Sequence, residues 1–382
     1  MAESVISLKE RRLRLASYLK QQGVAAAVFR DAEGARDPAI RYFTGQPGDA
    51  VLLIAASGWA ALSPWDENMA ALMADADVIV PFTAFEREHI RAVKELAKLM
   101  NDTDGKIPGG AKLEIPPATS YPDFLKYVDA IQDWTIICRT NEGAHKFVTE
   151  MRAVKDESEM QKLRQACAIT DEIIEMIIDG AKSGTIKTEV DAMLLIERET
   201  RFRGAEGAGF DTLAAGPSRS FGIHCFPPST AAPFPANGLS ILDFGVLYEG
   251  YTSDVTMTIT KGALSDAQEK QIELVQKAYG EALELYKPGV PVREAALKVQ
   301  SVFARAKRAM PHGLGHGIGL EVHEFPAVKP TASDDIVFKA GMTVTCEPGL
   351  YHTQLGGCRL ENSILITPSG NEVLTKSRIV RL

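Results

Sequence analysis

Three histidines lie close together in the segment HGLGHGIGLEVHEF, at His312, His316 and His323. Imidazole is a common ligand of transition-metal ions, and histidines near such ions also act as hydrogen-bonding groups. The four glycines of this segment and the following Pro326 are unfavourable in a regular helix. We therefore expect a metal site with His316 as a ligand, where the flanking glycines let the backbone approach the ions. His312 and His323 would reach the same cavity without binding metal.

Two aspartates flank a predicted β-hairpin in the segment LSILDFGVLYEGYTSDVTMTI. A turn centred between Tyr248 and Glu249 would place Asp243 directly opposite Asp254. Their Cβ atoms would then lie roughly 5 Å apart, and two facing carboxylates repel each other. A divalent cation between them would relieve this repulsion.

Two glutamates occupy similar positions on predicted strands. In MTVTCEPG, alternation of side chains places Glu347 on the polar face and Cys346 in the core. In CRLENSILI, the same alternation places Glu361 on one face with Arg359. Four carboxylates and one imidazole form an oxygen-rich set that suits two metal ions, as in two-metal hydrolases.

The elements that must position these residues fall into two parts. Residues 1–140 alternate helical and short apolar strand patterns, which predicts an α/β domain. Residues 141–155 are more polar and are expected to be a linker. In residues 156–382, a pair of helices followed by strands occurs twice, which indicates a duplicated half-domain with a shared site. The predicted fold class is α+β.

Composition narrows the class of partner. The formal net charge is −8 and the pI is about 5.5, so no basic surface is expected for nucleic acid or anionic lipid. Apolar runs such as AVLLIAASGWAAL are too short and interrupted to cross a membrane, and the N-terminus lacks the apolar segment of a signal peptide. The five cysteines form no paired framework, as is usual in a reducing compartment. We expect a cytoplasmic protein.

Taken in order, the segments LDFGVLYEGYTSDVT, HGLGHGIGLEVHE, CEPGLY and CRLEN resemble the pita-bread metallopeptidases. The likeness is to the branch of Xaa-Pro dipeptidases (prolidases), Xaa-Pro aminopeptidases and creatinase. It implies an N-terminal creatinase-like α/β domain and a C-terminal pita-bread domain of duplicated helix-helix-antiparallel-sheet units. It also implies a dinuclear centre with five ligands: Asp243, Asp254, His316, Glu347 and Glu361.

The resemblance further implies roles for the neighbouring residues. His323 would contact the scissile carbonyl oxygen, His224 and His312 would line the substrate site, and Arg359 would hold carboxylates in place. Glu347 would also handle the proton of the attacking water. The two ions are expected to be manganese, with cobalt, iron or zinc as alternatives. The substrate would be a peptide with proline after the scissile bond, and the protein would be a homodimer.

Several positions depart from the family pattern. The family often has G-x-N-x-x-x-P-H before the first aspartate, whereas GPSRSFGIH carries Arg219 and has Ile223 before His224. Met257 and Asn362 replace a common arginine and aspartate. We expect an Xaa-Pro dipeptidase first and an aminopeptidase second. A metal-dependent lyase or small-molecule hydrolase on the same scaffold, or a catalytically silent binding protein, remains an alternative.

Overall fold

The computed structural model describes residues 5–382, which form two compact units, Val5–Arg152 and Ala153–Leu382. The first four residues of the predicted domain 1–140 lie outside the described residues. Within residues 5–382, no helix combines the length and the apolar character needed to cross a membrane.

The first unit is built on a six-stranded mixed sheet with the strand order β4-β3-β2-β1-β5-β6. The strands are β1 (Ala26–Asp31), β2 (Ala50–Ala55), β3 (Ala60–Pro64), β4 (Val78–Ile79), β5 (Ala111–Ile115) and β6 (Trp134–Cys138). The helices are α1 (Leu8–Gln21), α2 (Ala39–Thr44), α3 (Glu67–Met73), α4 (His89–Thr103), α5 (Tyr121–Ala130) and α6 (Ala144–Ala153), with a 3₁₀ turn at Phe82–Phe85.

Helix α6 occupies most of the segment 141–155 that we expected to be a linker. The segment is polar, yet Ala144 and Val148 are buried at the four-residue spacing of a helix face. His145 also donates a hydrogen bond to the carbonyl of Val28, since a carbonyl can only accept. These apolar and hydrogen-bonding contacts explain why a polar segment is helical.

The second unit contains four long helices and several small sheets. The helices are α7 (Glu157–Ser183), α8 (Glu189–Phe202), α9 (Asp266–Leu283) and α10 (Val292–Arg305). The first strands are β7 (Gly207–Ala208), β8 (Leu213–Ala215), β9 (Gly238–Phe244), β10 (Val246–Tyr248), β11 (Tyr251–Thr252) and β12 (Val255–Lys261). The later strands are β13 (Gly315–Gly317), β14 (Glu324–Val328), β15 (Thr343–Cys346), β16 (Gly349–His352), β17 (Gly356–Arg359), β18 (Asn362–Thr367), β19 (Gly370–Val373) and β20 (Val380–Arg381).

The helix-helix-strand pattern occurs twice in this unit. The strands after the first helix pair form the sheet β20-β12-β9-β8, and those after the second pair form β14-β13-β15-β18-β19. Capping boxes begin α7 and α9, where Asp156 pairs with Glu159 and Ser265 with Gln268. Strand β20 returns to pair in parallel with β12 of the first half.

The hairpin around residue 249 is present, but its predicted register is wrong. Glu249 and Gly250 both have positive φ, at 45° and 85°, so they form the centre of the turn. This centre lies one residue later than predicted, and Asp243 therefore faces Thr256 instead of Asp254. Because the register shifts by two residues, Asp243 and Asp254 stay on the same face of the hairpin.

Candidate metal centre

The predicted site residues surround one cavity of about 590 Å³ in the second unit. All nine predicted residues line it: His224, Asp243, Asp254, His312, His316, His323, Glu347, Arg359 and Glu361. They come from strands and loops of both halves of the unit, so the fold brings together residues more than 130 positions apart in sequence, from His224 to Glu361.

His316 lies on β13 with its ring turned toward carboxylates. Its Nδ1 is 3.1 Å from the carbonyl oxygen of Gly317, which can only accept, so Nδ1 carries the proton. In the neutral ring, Nε2 then presents a lone pair, 3.4 Å from Glu347 Oε1 and 3.6 Å from Asp254 Oδ2. Burial and the nearby His323 lower the pKa of His316 to about 4, which keeps the ring neutral. A neutral ring with a free Nε2 is the form that binds metal.

Asp254 and Glu361 are buried acids beside this ring. Ligand atoms of Asp254, His316 and Glu361 all lie within 4.8 Å of one another. Oδ1 of Asp254 has no hydrogen-bond partner among residues 5–382. Glu361 accepts a hydrogen bond from Thr256 across 2.6 Å. Burial and neighbouring carboxylates raise the pKa of Asp254 and that of Glu361 well above their ordinary values.

Asp243 is the acid that already has a cationic partner. The Arg359 guanidinium donates to Oδ2 of Asp243 across 2.5 Å and to Thr256 Oγ1 across 2.8 Å. Burial raises the pKa of Asp243, whereas the charge of Arg359 opposes that rise. Arg359 is therefore hydrogen-bonded to one carboxylate of the site, and its single charge acts on the other three only from a distance.

Glu347 follows β15 at the edge of the cavity. Its backbone N–H donates to the carbonyl of Leu314, which joins it to the histidine-rich segment. Burial raises the pKa of Glu347 to about 7, although Arg359 opposes the rise. A carboxyl group with this pKa gains and loses a proton near neutral pH. The predicted core position of Cys346 is confirmed, since its side chain is fully buried.

His312 is connected to Arg359 through Tyr351. His312 Nδ1 donates to the carbonyl of Gly313 across 2.7 Å, so its Nε2 accepts from the Tyr351 hydroxyl across 2.9 Å. The same hydroxyl accepts from Arg359 across 2.8 Å. Burial lowers the pKa of His312 to about 4, so this chain of hydrogen bonds has a fixed direction.

His323 and His224 lie at exposed parts of the cavity wall. The ring of His323 packs edge-on against His316, with ring centroids 4.3 Å apart. His224 lies in the loop before β9 and is close enough for its charge to act on the pKa of Asp243. Neither ring is in the tight group formed by Asp254, His316 and Glu361.

The glycines beside His316 allow close packing between strands. A Cβ at Gly315 would lie 2.2 Å from the carbonyl oxygen of Thr345, and one at Gly317 would lie 2.3 Å from that of Phe325. These glycines therefore let β13 pack closely against β15 and β14, and the approach of their backbone to the ions stays a prediction. Because Gly315 and Gly317 have no side chains, β13 lies close to its neighbouring strands, and this packing fixes the position of His316.

Thr256 and Tyr351 were not identified from the sequence as part of this site. Thr256 bridges Arg359 and Glu361, and Tyr351 bridges Arg359 and His312. Alternation along SDVT places Thr256 on the face of Asp254, so that signal was present for Thr256. Tyr351 offers no such signal, because its position depends on packing between separate strands.

The residues of this cavity fit divalent metal ions. The site holds four carboxylates, one arginine that is paired with Asp243, and a neutral His316. The unpartnered Oδ1 of Asp254 and the raised pKa values of the acids show that the single positive charge of Arg359 does not balance the four carboxylates. Oxygen ligands with one imidazole suit manganese, cobalt, iron or zinc.

This chain is similar to known proteins over nearly its whole length. The chain is 29% identical over 376 residues to an Xaa-Pro dipeptidase of Pyrococcus horikoshii, covering 97% of this chain and 98% of that protein. An X-Pro aminopeptidase structure from Thermotoga maritima matches with a TM-score of 0.82 and 26% identity, covering 97% of this chain and 99% of that one. An Xaa-Pro dipeptidase structure from Bacillus anthracis matches with a TM-score of 0.82 and 26% identity, covering 98% and 100%.

The predicted fold class is confirmed by these structures. The chain has an α+β fold with a creatinase-like α/β domain followed by a duplicated pita-bread domain. Residues 161–368, more than half of the chain, match the sequence family described as metallopeptidase family M24. These residues include the cluster of Asp254, His316 and Glu361. The chain belongs to metallopeptidase family M24.

Proposed function

We propose that this protein is a dinuclear-metal-dependent hydrolase that cleaves the Xaa-Pro bond of dipeptides or short peptides. An Xaa-Pro dipeptidase is placed first and an Xaa-Pro aminopeptidase second. The observation that carries the proposal is the buried group of acids around the neutral ring of His316, which lacks a balancing cation. The similarity to an Xaa-Pro dipeptidase over 97% of this chain supports the substrate class.

Asp243, Asp254, His316, Glu347 and Glu361 would hold the two ions, and manganese is proposed ahead of cobalt, iron and zinc. When bound, two divalent ions lower the pKa of water and polarise a carbonyl group. Glu347 would also handle the proton of the attacking water, because its carboxylate lies at the edge of the cavity beside His316.

The histidines and Arg359 would orient the substrate and the acids. His323 is placed to donate a hydrogen bond to the scissile carbonyl oxygen, because it lines the cavity beside His316 without joining the acid cluster. Arg359 keeps Asp243 in position through its 2.5 Å hydrogen bond. His312 and His224 would form the wall that contacts the peptide.

The test is an assay of protein freed of metal and then reconstituted with each candidate ion. Xaa-Pro dipeptides, Xaa-Pro tripeptides and peptides without proline are compared under the same conditions. Preferential cleavage of Xaa-Pro dipeptides supports the first assignment, and preference for tripeptides supports the aminopeptidase. Absence of all Xaa-Pro cleavage with any of these ions would contradict the proposed function.

A second candidate is a metal-dependent lyase or small-molecule hydrolase, or a binding protein without catalysis. Arg219 and Ile223 favour it, because they change the wall beside His224 relative to the family pattern. The non-proline controls in the same assay distinguish it.

We propose that the chain forms a homodimer in the cytoplasm. The five cysteines are all unpaired, which suits a reducing compartment. We propose residues 1–140 as an N-terminal domain that helps close the substrate site, 141–155 as the connection, and 156–382 as the catalytic domain. Light scattering of the intact protein tests the dimer, and fractionation of cells tests the location.

A further inference from the structure

One wall of the cavity is a long loop, residues 216–230, that contains no helix or strand. Its cavity-lining residues are Ile223, His224, Cys225, Phe226 and Pro228. Phe226 is 96% exposed, so little packing holds the tip of the loop in place. The position of His224 therefore depends on hydrogen bonds made elsewhere along the loop.

Glu189, the first residue of helix α8, accepts four of these bonds. Its side chain is 0% exposed. Oε1 accepts from the backbone N–H of Gly216 across 2.8 Å. Oε2 accepts from Arg219 across 2.6 Å, and from the N–H and hydroxyl of Thr230 across 2.8 Å and 2.6 Å. One carboxylate thus ties down the start, the middle and the end of the loop.

Arg219 extends this connection to the residues next to His224. It donates a second hydrogen bond to the carbonyl of Pro227. The carbonyl of Arg219 accepts from Cys225 Sγ across 3.1 Å. On the far side of the loop, Arg359 donates to the carbonyl of Ile223 across 3.4 Å. The segment that carries His224 is thus held between Arg219 and Arg359.

We propose that Glu189 is a positioning residue of the substrate site, which acts through Arg219 to hold the wall that carries His224. Ile223 stands where the family pattern has proline, so the backbone before His224 lacks the restriction of φ that proline provides. The ion pair between the buried Glu189 and the half-buried Arg219 supplies the missing rigidity. The effect on peptide turnover rests on the function proposed above, whereas the effect on the loop does not.

Glu189→Gln is the informative variant because it keeps the shape of the side chain. The amide nitrogen cannot accept a hydrogen bond, so the variant loses either the bond from Gly216 or those from Arg219 and Thr230, and in both cases the negative charge beside Arg219 is lost. Loss of one charge-assisted bond corresponds to about a tenfold change in an equilibrium. We expect KM for an Xaa-Pro dipeptide to rise about tenfold, with kcat within about threefold and metal content unchanged.

Cys225 provides a readout that needs no peptide. We expect Glu189→Gln to speed alkylation of the half-buried Cys225 by iodoacetamide about tenfold, since the loop opens more often. The exposed Cys138 lies in the other unit and serves as the internal reference, with an unchanged rate. Mass spectrometry of the labelled peptides follows both thiols in one sample.

Glu199→Gln is the matched control. Glu199 lies on the same helix and forms an ion pair with Arg203 across 2.5 Å, away from the cavity lining. A general weakening of α8 would speed Cys225 labelling in both variants, which would overturn the proposal. Faster labelling in Glu189→Gln alone supports it.

Arg219→Gln covers the case in which Glu189→Gln does not fold. The Arg219 side chain is 20% exposed, so its replacement is less disruptive, and it still removes the connection to Pro227. Faster Cys225 labelling in this variant supports the proposal, and wild-type labelling in a folded variant overturns it. If the wild-type protein cleaves no Xaa-Pro peptide, the proposed function fails, and Cys225 labelling still decides the role of Glu189.

Discussion

The carboxylate of Asp243 is paired with Arg359 across 2.5 Å, whereas Oδ1 of its neighbour Asp254 has no hydrogen-bond partner among residues 5–382. Two acids that we assign to one metal centre therefore stand in opposite electrostatic situations in the metal-free protein. Without metal, Asp254 destabilises the fold, because a buried carboxylate oxygen without a hydrogen-bond partner is unfavourable. Asp243 instead neutralises a buried guanidinium.

Asp254→Asn and Asp243→Asn should therefore change the metal-free protein in opposite directions. Asp254→Asn should raise its free energy of unfolding, whereas Asp243→Asn should lower it by about 3 kcal/mol, because Arg359 loses its counter-charge. Both variants should bind less metal and lose most turnover. Denaturant unfolding in chelator and metal analysis measure these effects. Equal loss of stability in the two variants would contradict this account.

His316→Ala and His323→Ala should separate metal binding from substrate contact. His316 directs Nε2 at Glu347 and Asp254, so its loss should remove bound metal. His323→Ala should keep its metal while kcat falls by roughly 10²–10³, the scale for loss of one oxyanion donor. Metal analysis and steady-state kinetics on both proteins test the division. It fails if both variants lose metal equally.

The metal-free protein should lose stability as the pH rises toward and through 7. Glu347 has a pKa of about 7 in the folded protein against an ordinary value of 4.5, so the folded state holds the proton longer. Between these two pKa values, each group of this kind lowers the free energy of unfolding by about 1.4 kcal/mol for every unit by which the pH rises. The raised pKa values of Asp254 and Glu361 act in the same direction.

Two histidines oppose this trend at lower pH. His312 and His316 have pKa values of about 4 against an ordinary 6.5, so between these values stability rises with pH. The decline should therefore be measured above about pH 6.5, by denaturant unfolding in chelator. Glu347→Gln should show a smaller decline, and saturating metal should reverse it. If the free energy of unfolding stayed constant or rose between about pH 6.5 and about pH 8, the raised pKa values assigned to these acids would be refuted.

Asn362→Asp should destabilise the protein although aspartate is common at this position in the family. Asn362 Nδ2 donates to the hydroxyl of Tyr279 and the carbonyl of Ser377, across 3.0 Å and 3.2 Å. Aspartate cannot donate these bonds when ionised, and it would face the Ser377 carbonyl. We expect a loss of about 2 kcal/mol in the free energy of unfolding, with metal content retained. An unchanged melting temperature would show that the site adapts to the carboxylate.

Removal of the first unit tests its proposed role at the substrate site. A chain of residues 153–382 should stay folded and keep its metal, since the ligands lie in this unit. It should lose discrimination between dipeptides and longer peptides, because in the proposed homodimer the first unit would no longer help to close the substrate site of the partner subunit. Peptide-length kinetics are compared with those of the intact protein. A monomeric intact protein and an unaltered length preference would together contradict the proposal.

Side-chain alternation was sufficient to predict which face Glu361 and Cys346 occupy, because that pattern depends only on local strand geometry. The register of the hairpin was not predicted correctly, since it depends on which residues take positive φ. A positive φ is uncommon for glutamate, so Glu249 was not an obvious candidate for the turn, and the observed turn is centred one residue later than predicted. Tyr351 could not be assigned, because its partners His312 and Arg359 come from separate segments. Local patterns predict faces, whereas partners across the fold require the structure.

The two halves of the second unit contribute different parts of the metal centre. Asp243 and Asp254 belong to the first helix-and-strand half, and His316, Glu347 and Glu361 belong to the second. Bound ions would thus add a cross-link between two halves that are otherwise joined by contacts such as the pairing of β20 with β12. A chelator should then do more than stop turnover. It should reduce the cooperativity of unfolding and expose protease cleavage points between the halves, so metal supply would govern how long the protein survives.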